Sequence, residues 1–239
     1  MAGDPLLTRA RRVWLEQAGA PVAFPAEGGA HVVVSAGSLL CPPGWVGIVS
    51  VGDAAIVTVP APGLLDVMRE AGAGLPAAAL TDPDRLRRAV PVAEVLGPGT
   101  LDYCDERTFQ PTTPNATETI PPGHRDLATL LASVPAGDAE QCGLAEITSP
   151  AFVVRNGTRV VAAAGYQHWP GQAAHVCVLT VPDQRGRGLA RVVAGAATAD
   201  GLANRLLPQW RAGHEASRRV AWALGFRRLG VQLSVRIEG

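Results

Sequence analysis

The residues whose types and spacing point most directly to chemistry are Val181-Pro-Asp-Gln-Arg185-Gly-Arg-Gly188-Leu-Ala190-Arg191, which join an apolar run, AHVCVLTV, straight to a stretch with helical spacing. A glycine-rich turn at a helix start aims several unpaired backbone N–H groups one way, and the helix dipole adds partial positive charge there. A phosphate or diphosphate fits such a cradle. Gly186 and Gly188 let the main chain approach the oxygens without a Cβ in the way, while Arg185, Arg187 or Arg191 can add charge-assisted hydrogen bonds. A Walker A loop needs Gly-Lys-Ser/Thr, and the chain contains no lysine. A Rossmann fingerprint wants a glycine or alanine where Arg191 stands. Both alternatives are disfavoured.

The elements that must position this loop follow from periodicity. Residues 151–155 and 159–166 read as strands about Asn156-Gly157, a dipeptide suited to a type I′ hairpin turn. Residues 174–181 form a third strand, ended by Pro182-Asp183. Leu189, Val192, Val193, Ala196 and Leu202 mark one face of a helix. LLPQW (206–210) reads as a short strand in which Pro208 cannot donate to a ladder, so it needs an unpaired side or a splayed neighbour. Residues 214–224 read as a helix closed by Gly225, and 229–237 alternate strictly as a last strand.

This succession resembles the GNAT superfamily of acyl-CoA-dependent N-acyltransferases, whose diphosphate loop runs Arg/Gln-x-x-Gly-x-Gly/Ala; Arg185-Gly-Arg-Gly188-Leu-Ala190 fits each fixed position. HEASRRVAWALGF (214–226) is similar to the family's Asn-x-x-Ser/Ala…Leu-Gly-Phe stretch. The resemblance covers roughly residues 124–239 and leans toward a bacterial branch with an N-terminal extension. It implies an α+β fold with a mixed, mostly antiparallel sheet flanked by helices. It also implies a V-shaped opening between strand 174–181 and LLPQW that takes pantetheine, with acetyl-CoA as acyl donor and an amine as acceptor. By the same resemblance the backbone of Leu179 and Val181 bonds pantetheine, and the diphosphate sits on Arg185, Gly186, Arg187, Gly188, Leu189 and Ala190. Ser217 matches a further CoA contact. Two positions depart from the family: Ala221 stands where many members have a tyrosine acid, and His214 where an asparagine is common.

An amine must be neutral to attack a thioester, yet an alkylamine has a pKa of about 10.4, so a base or water chain is expected near the acceptor. His175 opens the strand before the loop, where relatives often carry a glutamate base; a packing histidine at a strand end is the plain alternative. Glu146 and Glu140 precede the first hairpin strand and either face the acceptor or cap a turn. Ser217 or a water would stand in for the missing tyrosine as acid. His168 and Trp169 line the acceptor mouth or decorate a turn, and Trp210 and Trp222 read as core residues.

The rest of the 239 residues bounds the function. Arginines and acids balance at 21 each, so neither nucleic acid nor a membrane surface is an expected partner. The four cysteines are far apart, which argues against a disulfide framework and against a zinc site; no metal is expected. A cytoplasmic setting follows from that cysteine usage and from an N-terminal stretch unlike a signal peptide, which makes chance matches of the sequons at Asn115 and Asn156. Residues 1–110 read as a small α/β region with an opening helix at 6–18, strands between His31 and Val59, and a hairpin at Gly52-Asp53. Its role is unassigned: it shapes the acceptor side or makes a homodimer contact. The Pro/Thr-rich residues 111–123 read as a linker or long loop, followed by an acyltransferase domain at 124–239 that begins with helical stretches at 124–133 and 136–143. The family's opening strand has only a weak candidate at Thr108–Thr112. Two rival readings stay open, a non-catalytic acyl-CoA sensor and an RNA or nucleotide binder using Arg185, Arg187, Arg218 and Arg219.

Overall fold

A computed structural model describes residues 4–112 and 117–238, so Asn115 and the middle of the expected linker lie outside the described residues. The chain divides into two compact units, residues 1–102 with 228–239, and residues 103–227. This division differs from the expected one. The terminal strand joins the N-terminal unit, and the boundary falls before the Pro/Thr-rich stretch, not within it.

In the first unit, α1 (Pro5–Gln17) starts at Asp4, whose carboxylate caps the Leu6 N–H at 2.9 Å, with proline at the first helical position. Strands β1 (Gly29–Val34), β2 (Val46–Val51), β3 (Ala54–Val59), β4 (Val92–Tyr103) and β10 (Arg227–Ile237) lie in the order β1-β3-β2-β10-β4. The hairpin at Gly52-Asp53 is present, pairing Val51 with Ala54. Every residue of β2 and β3 is buried, so these strands read as apolar runs interrupted only by Ser50 and Thr58 rather than as alternating ones. One cover is α2 (Leu65–Gly74), α3 (Ala77–Leu80) and α4 (Pro83–Ala89), which pack Met68, Leu80 and Leu86 on Ile48, Val57 and Leu233.

In the second unit, β5 (Glu118–Ile120), β6 (Ala151–Asn156), β7 (Arg159–Trp169) and β8 (Ala173–Thr180) form an antiparallel run, and β9 (Leu207–Ala212) adds to β8 in parallel. Strand β5 corrects the expectation of an irregular linker over 111–123. Ile120 is buried opposite Ala151 and belongs to the edge strand that Thr108–Thr112 does not form. The β6–β7 turn is Gly157-Thr158, one residue later than expected, because Asn156 pairs with Arg159.

Side chains of β8 alternate between two cores. Cys177 and Leu179 join Leu127 and Leu130 of α5 (Arg125–Ala132) and Leu144 in one; Val176 and Val178 join Val193 and Ala197 of α7 (Leu189–Ala203) and Leu224, just past α8 (Glu215–Ala223), in the other. Burying each such valine or leucine contributes roughly 1.5–3 kcal/mol over leaving it exposed. The short helix α6 (Ala136–Cys142) lies with α5 and reaches β8. Among the described residues no helix is long and apolar enough to cross a membrane.

Candidate functional site

Strands β8 and β9 pair only at Ala173–Leu207, Ala174–Pro208 and His175–Gln209, although β8 runs on to Thr180 and β9 to Ala212. Beyond His175 and Gln209 the two strands therefore part, leaving a wedge with polar backbone along its sides. Pro208 sits inside the paired part, not in the splayed part. Its carbonyl accepts the Cys104 N–H at 3.2 Å, while the Leu207 N–H donates to Gln172 at 2.8 Å, so the proline's missing donor falls on the edge away from β8.

The direction of each β8 backbone group decides what the wedge can bind. The Val181 N–H donates to the Val161 carbonyl at 3.0 Å, on the β7 side, and the Gln172 carbonyl serves β9. Successive residues of a strand address opposite neighbours, so odd-numbered residues of β8 face β7 and even-numbered residues face the wedge. Leu179 and Val181, expected to hold pantetheine through their backbone, thus direct it away. Val178 and Thr180 are the residues whose backbone borders the opening. The Thr180 hydroxyl is buried without a hydrogen-bond partner, and its carbonyl accepts from Arg185 Nε at 3.2 Å.

After β8, Pro182–Gln184 make a 3-10 turn and the chain enters α7 through Gly186 (φ 77°) and Gly188 (φ 76°). Both φ values lie in the left-handed region that favours glycine, and a Cβ built on either meets nothing within 4 Å. The ground before them is open. The Val192 N–H closes on the Gly188 carbonyl at 3.2 Å, so the amides of Leu189, Ala190 and Arg191 precede the first helical bond. Arg187 and Arg191 are exposed beside them. Arg185 is placed differently: its Nη2 holds Asp138 of α6 at 2.6 Å, which together with the Thr180 bond makes it a strut between loop, strand and helix. The His214 ring meets Gln141 at 3.3 Å, so α6 is tied to both sides of the wedge.

At the root of the wedge, His175 Nδ1 and Gln209 Oε1 are 2.5 Å apart, and the imidazole stacks on Trp169 at 4.1 Å between centroids. Burial and the nearby Arg211 charge depress the His175 pKa to about 3, against the pull of the Gln209 hydrogen bond. His175 is neutral at physiological pH and weakly basic. With Nδ1–H donating to Gln209, its Nε2 keeps a lone pair. The Gln209 amide is fully enclosed and its Nε2 has no partner. Arg211 is surface-exposed yet lies over the Trp169 ring, 5.9 Å from its centroid, and partial desolvation there lowers its pKa.

The other candidates divide between the two faces. Glu146, exposed in the 3-10 turn Leu144–Glu146, acts on the Cys177 thiol on the His175 face. Glu140 is exposed on α6, and the ring of exposed His168 meets the Thr148 hydroxyl at 2.9 Å. Ser217 lies on the opposite face, where its Oγ accepts from Trp210 Nε1 at 2.9 Å and retains its own proton to donate. The structure does not bring His175 and Ser217 to one side of the sheet. Ala221 is fully buried against the Trp210 and Phe226 cluster. Trp210 is a core residue as expected, whereas Trp222 is 45% exposed, against expectation. Among the described residues no group of three or more His, Cys, Asp or Glu is gathered to hold a metal ion.

Residues 149–230, from β6 to the start of β10, match the family model for GNAT acetyltransferases. No curated protein matches the chain. Solved structures similar to it include a GNAT-family acetyltransferase from Novosphingobium aromaticivorans (21% identity, TM-score 0.47, covering 60% of this chain and 65% of that one). A GCN5-related N-acetyltransferase from Kribbella flavida is similar at 15% identity and TM-score 0.49, covering 65% and 63%. A GNAT-family acetyltransferase from Colwellia psychrerythraea is similar at 11% identity and TM-score 0.49, covering 100% and 98%. The chain thus spans slightly less than two thirds of the first two.

Proposed function

We infer, taking as premise that this chain carries a GNAT acetyltransferase domain, that it transfers an acetyl group from acetyl-CoA to an amine by direct attack in a ternary complex. The observation that carries the reading is the parting of β8 from β9 at His175 and Gln209, with the glycine turn and the α7 N-terminus at the end of the β8 side.

In this reading the diphosphate lies on the amides from Gly186 to Arg191, assisted by Arg187 and Arg191, while pantetheine runs in the wedge against the backbone of Val178 and Thr180. An N–H on that open edge also stabilises the oxyanion as the amine nitrogen bonds to the thioester carbon. The C–S bond then breaks and the thiolate takes a proton from Ser217 or water. The neutral His175 orients the amine through Nε2, and the proton lost by the amine passes to solvent or to Glu146. Acetyl-CoA turnover with an amine panel, followed as free thiol, tests the activity; a chain that binds CoA yet releases thiol with no amine would sink it.

A second reading, an acyl-CoA sensor without turnover, is favoured by Ala221. That position is closed in the core and offers no hydroxyl to the leaving thiolate. The same assay separates the two.

A further inference from the structure

We propose that Trp169, His175, Gln209 and Arg211 form an acceptor subsite for an amine that also bears a carboxylate, with Arg211 taking the carboxylate and Glu146 facing the amino end. The inference rests on the acyl-transfer reading and names its acceptor class.

Arg211 is two residues past Gln209 on β9, so the two side chains share a face, and that face also carries His175 and Cys177. Arg211 stands on the part of β9 that has left β8. Its guanidinium is held over Trp169, whose ring stacks on His175, so cation, indole and imidazole make one wall.

The Cys177 thiol senses both Glu146 and Arg211, with opposite signs, and the turn that carries Glu146 contacts β8, so an acid and a cation both lie near this face. His175 stays neutral and adds no second positive charge. A planar guanidinium held over an indole is suited to a bidentate carboxylate. A polycationic acceptor would meet repulsion from Arg211.

The enclosed Gln209 amide is the independent sign of a ligand. Its Nε2 is buried at the point where the strands separate and has no hydrogen-bond partner. Such a group costs about 1–3 kcal/mol when left unsatisfied, so a carbonyl or carboxylate oxygen seated at the wedge root would relieve it.

The test uses the full chain saturated with CoA, titrated calorimetrically with N-acetylated alanine, glutamate and phenylalanine and with their C-terminal amides. The acids should bind about tenfold tighter than the amides, and Arg211→Gln should shrink that ratio to about twofold or less while leaving the Kd for CoA unchanged. Equal affinity of acids and amides, no binding of either at millimolar concentration, or a preference that survives Arg211→Gln overturns the subsite. Failure of the unaltered chain to bind CoA is a different result, and it removes the acyl-transfer reading beneath.

Discussion

His175 and Gln209 are the last register partners of β8 and β9, and their side chains meet at 2.5 Å where the strands part. The pair fixes the imidazole at the root of the wedge while burial keeps it neutral. In the proposed reaction it orients rather than titrates.

Replacing His175 with alanine should therefore lower kcat by about tenfold to a hundredfold. Because the depressed pKa leaves His175 unprotonated throughout, the ratio of mutant to parent rate should stay constant from about pH 5 to about pH 9. A loss that grows or shrinks near neutrality would restore His175 as a titrating base.

The same group makes stability depend on acidity. Its folded pKa, about 3, lies below the unfolded value of about 6.5. Above that upper value both states are neutral and nothing is lost. As pH falls below it the unfolded chain takes up the proton and the folded chain does not, so stability drops with a limiting slope of about 1.4 kcal/mol per pH unit until pH nears 3. Melting curves of parent and His175→Gln between about pH 7 and about pH 4 should converge as the pH falls; parallel curves would contradict the assignment.

Glycine spacing at 186 and 188 is enough to locate the turn that starts α7, because positive φ leaves few other residues. Which β8 residues border the wedge was missed by one position: a strand alternates with period two, so one residue of register turns Val178 and Thr180 outward in place of Leu179 and Val181. Strand β5 was hidden because three residues in a Pro/Thr-rich stretch carry a single apolar side chain. The roles of Gln209, Arg211 and Asp138 depend on partners more than thirty residues away, and no local pattern reports them.

Asp138 and the Thr180 carbonyl occupy the Arg185 guanidinium. Freed by Asp138→Asn, the guanidinium can turn to the diphosphate, and CoA affinity should rise by about threefold to tenfold with the gain screened by salt. Isothermal titration at two ionic strengths checks this. A fall in affinity would show that the strut itself shapes the loop.

Placing at position 221 the tyrosine that the resemblance implies as an acid should fail to raise turnover. Ala221 is enclosed by Trp210, Leu224 and Phe226, and a phenol forced into that cluster should cost about 3 kcal/mol or more, exceeding ordinary overpacking because its hydroxyl has no partner in an apolar cluster. Denaturant midpoints and thiol release on Ala221→Tyr test this together; a stable, faster variant would contradict the packing argument.

The most direct measurement is CoA binding by the full chain and by Gly188→Glu. A glutamate there places a side chain and a negative charge in open ground before the α7 amides, at a backbone φ of 76°. Micromolar binding by the parent and loss of about a hundredfold or more in the folded variant is the predicted result. Equal affinities, with both proteins folded, would contradict the claim that these amides receive the diphosphate.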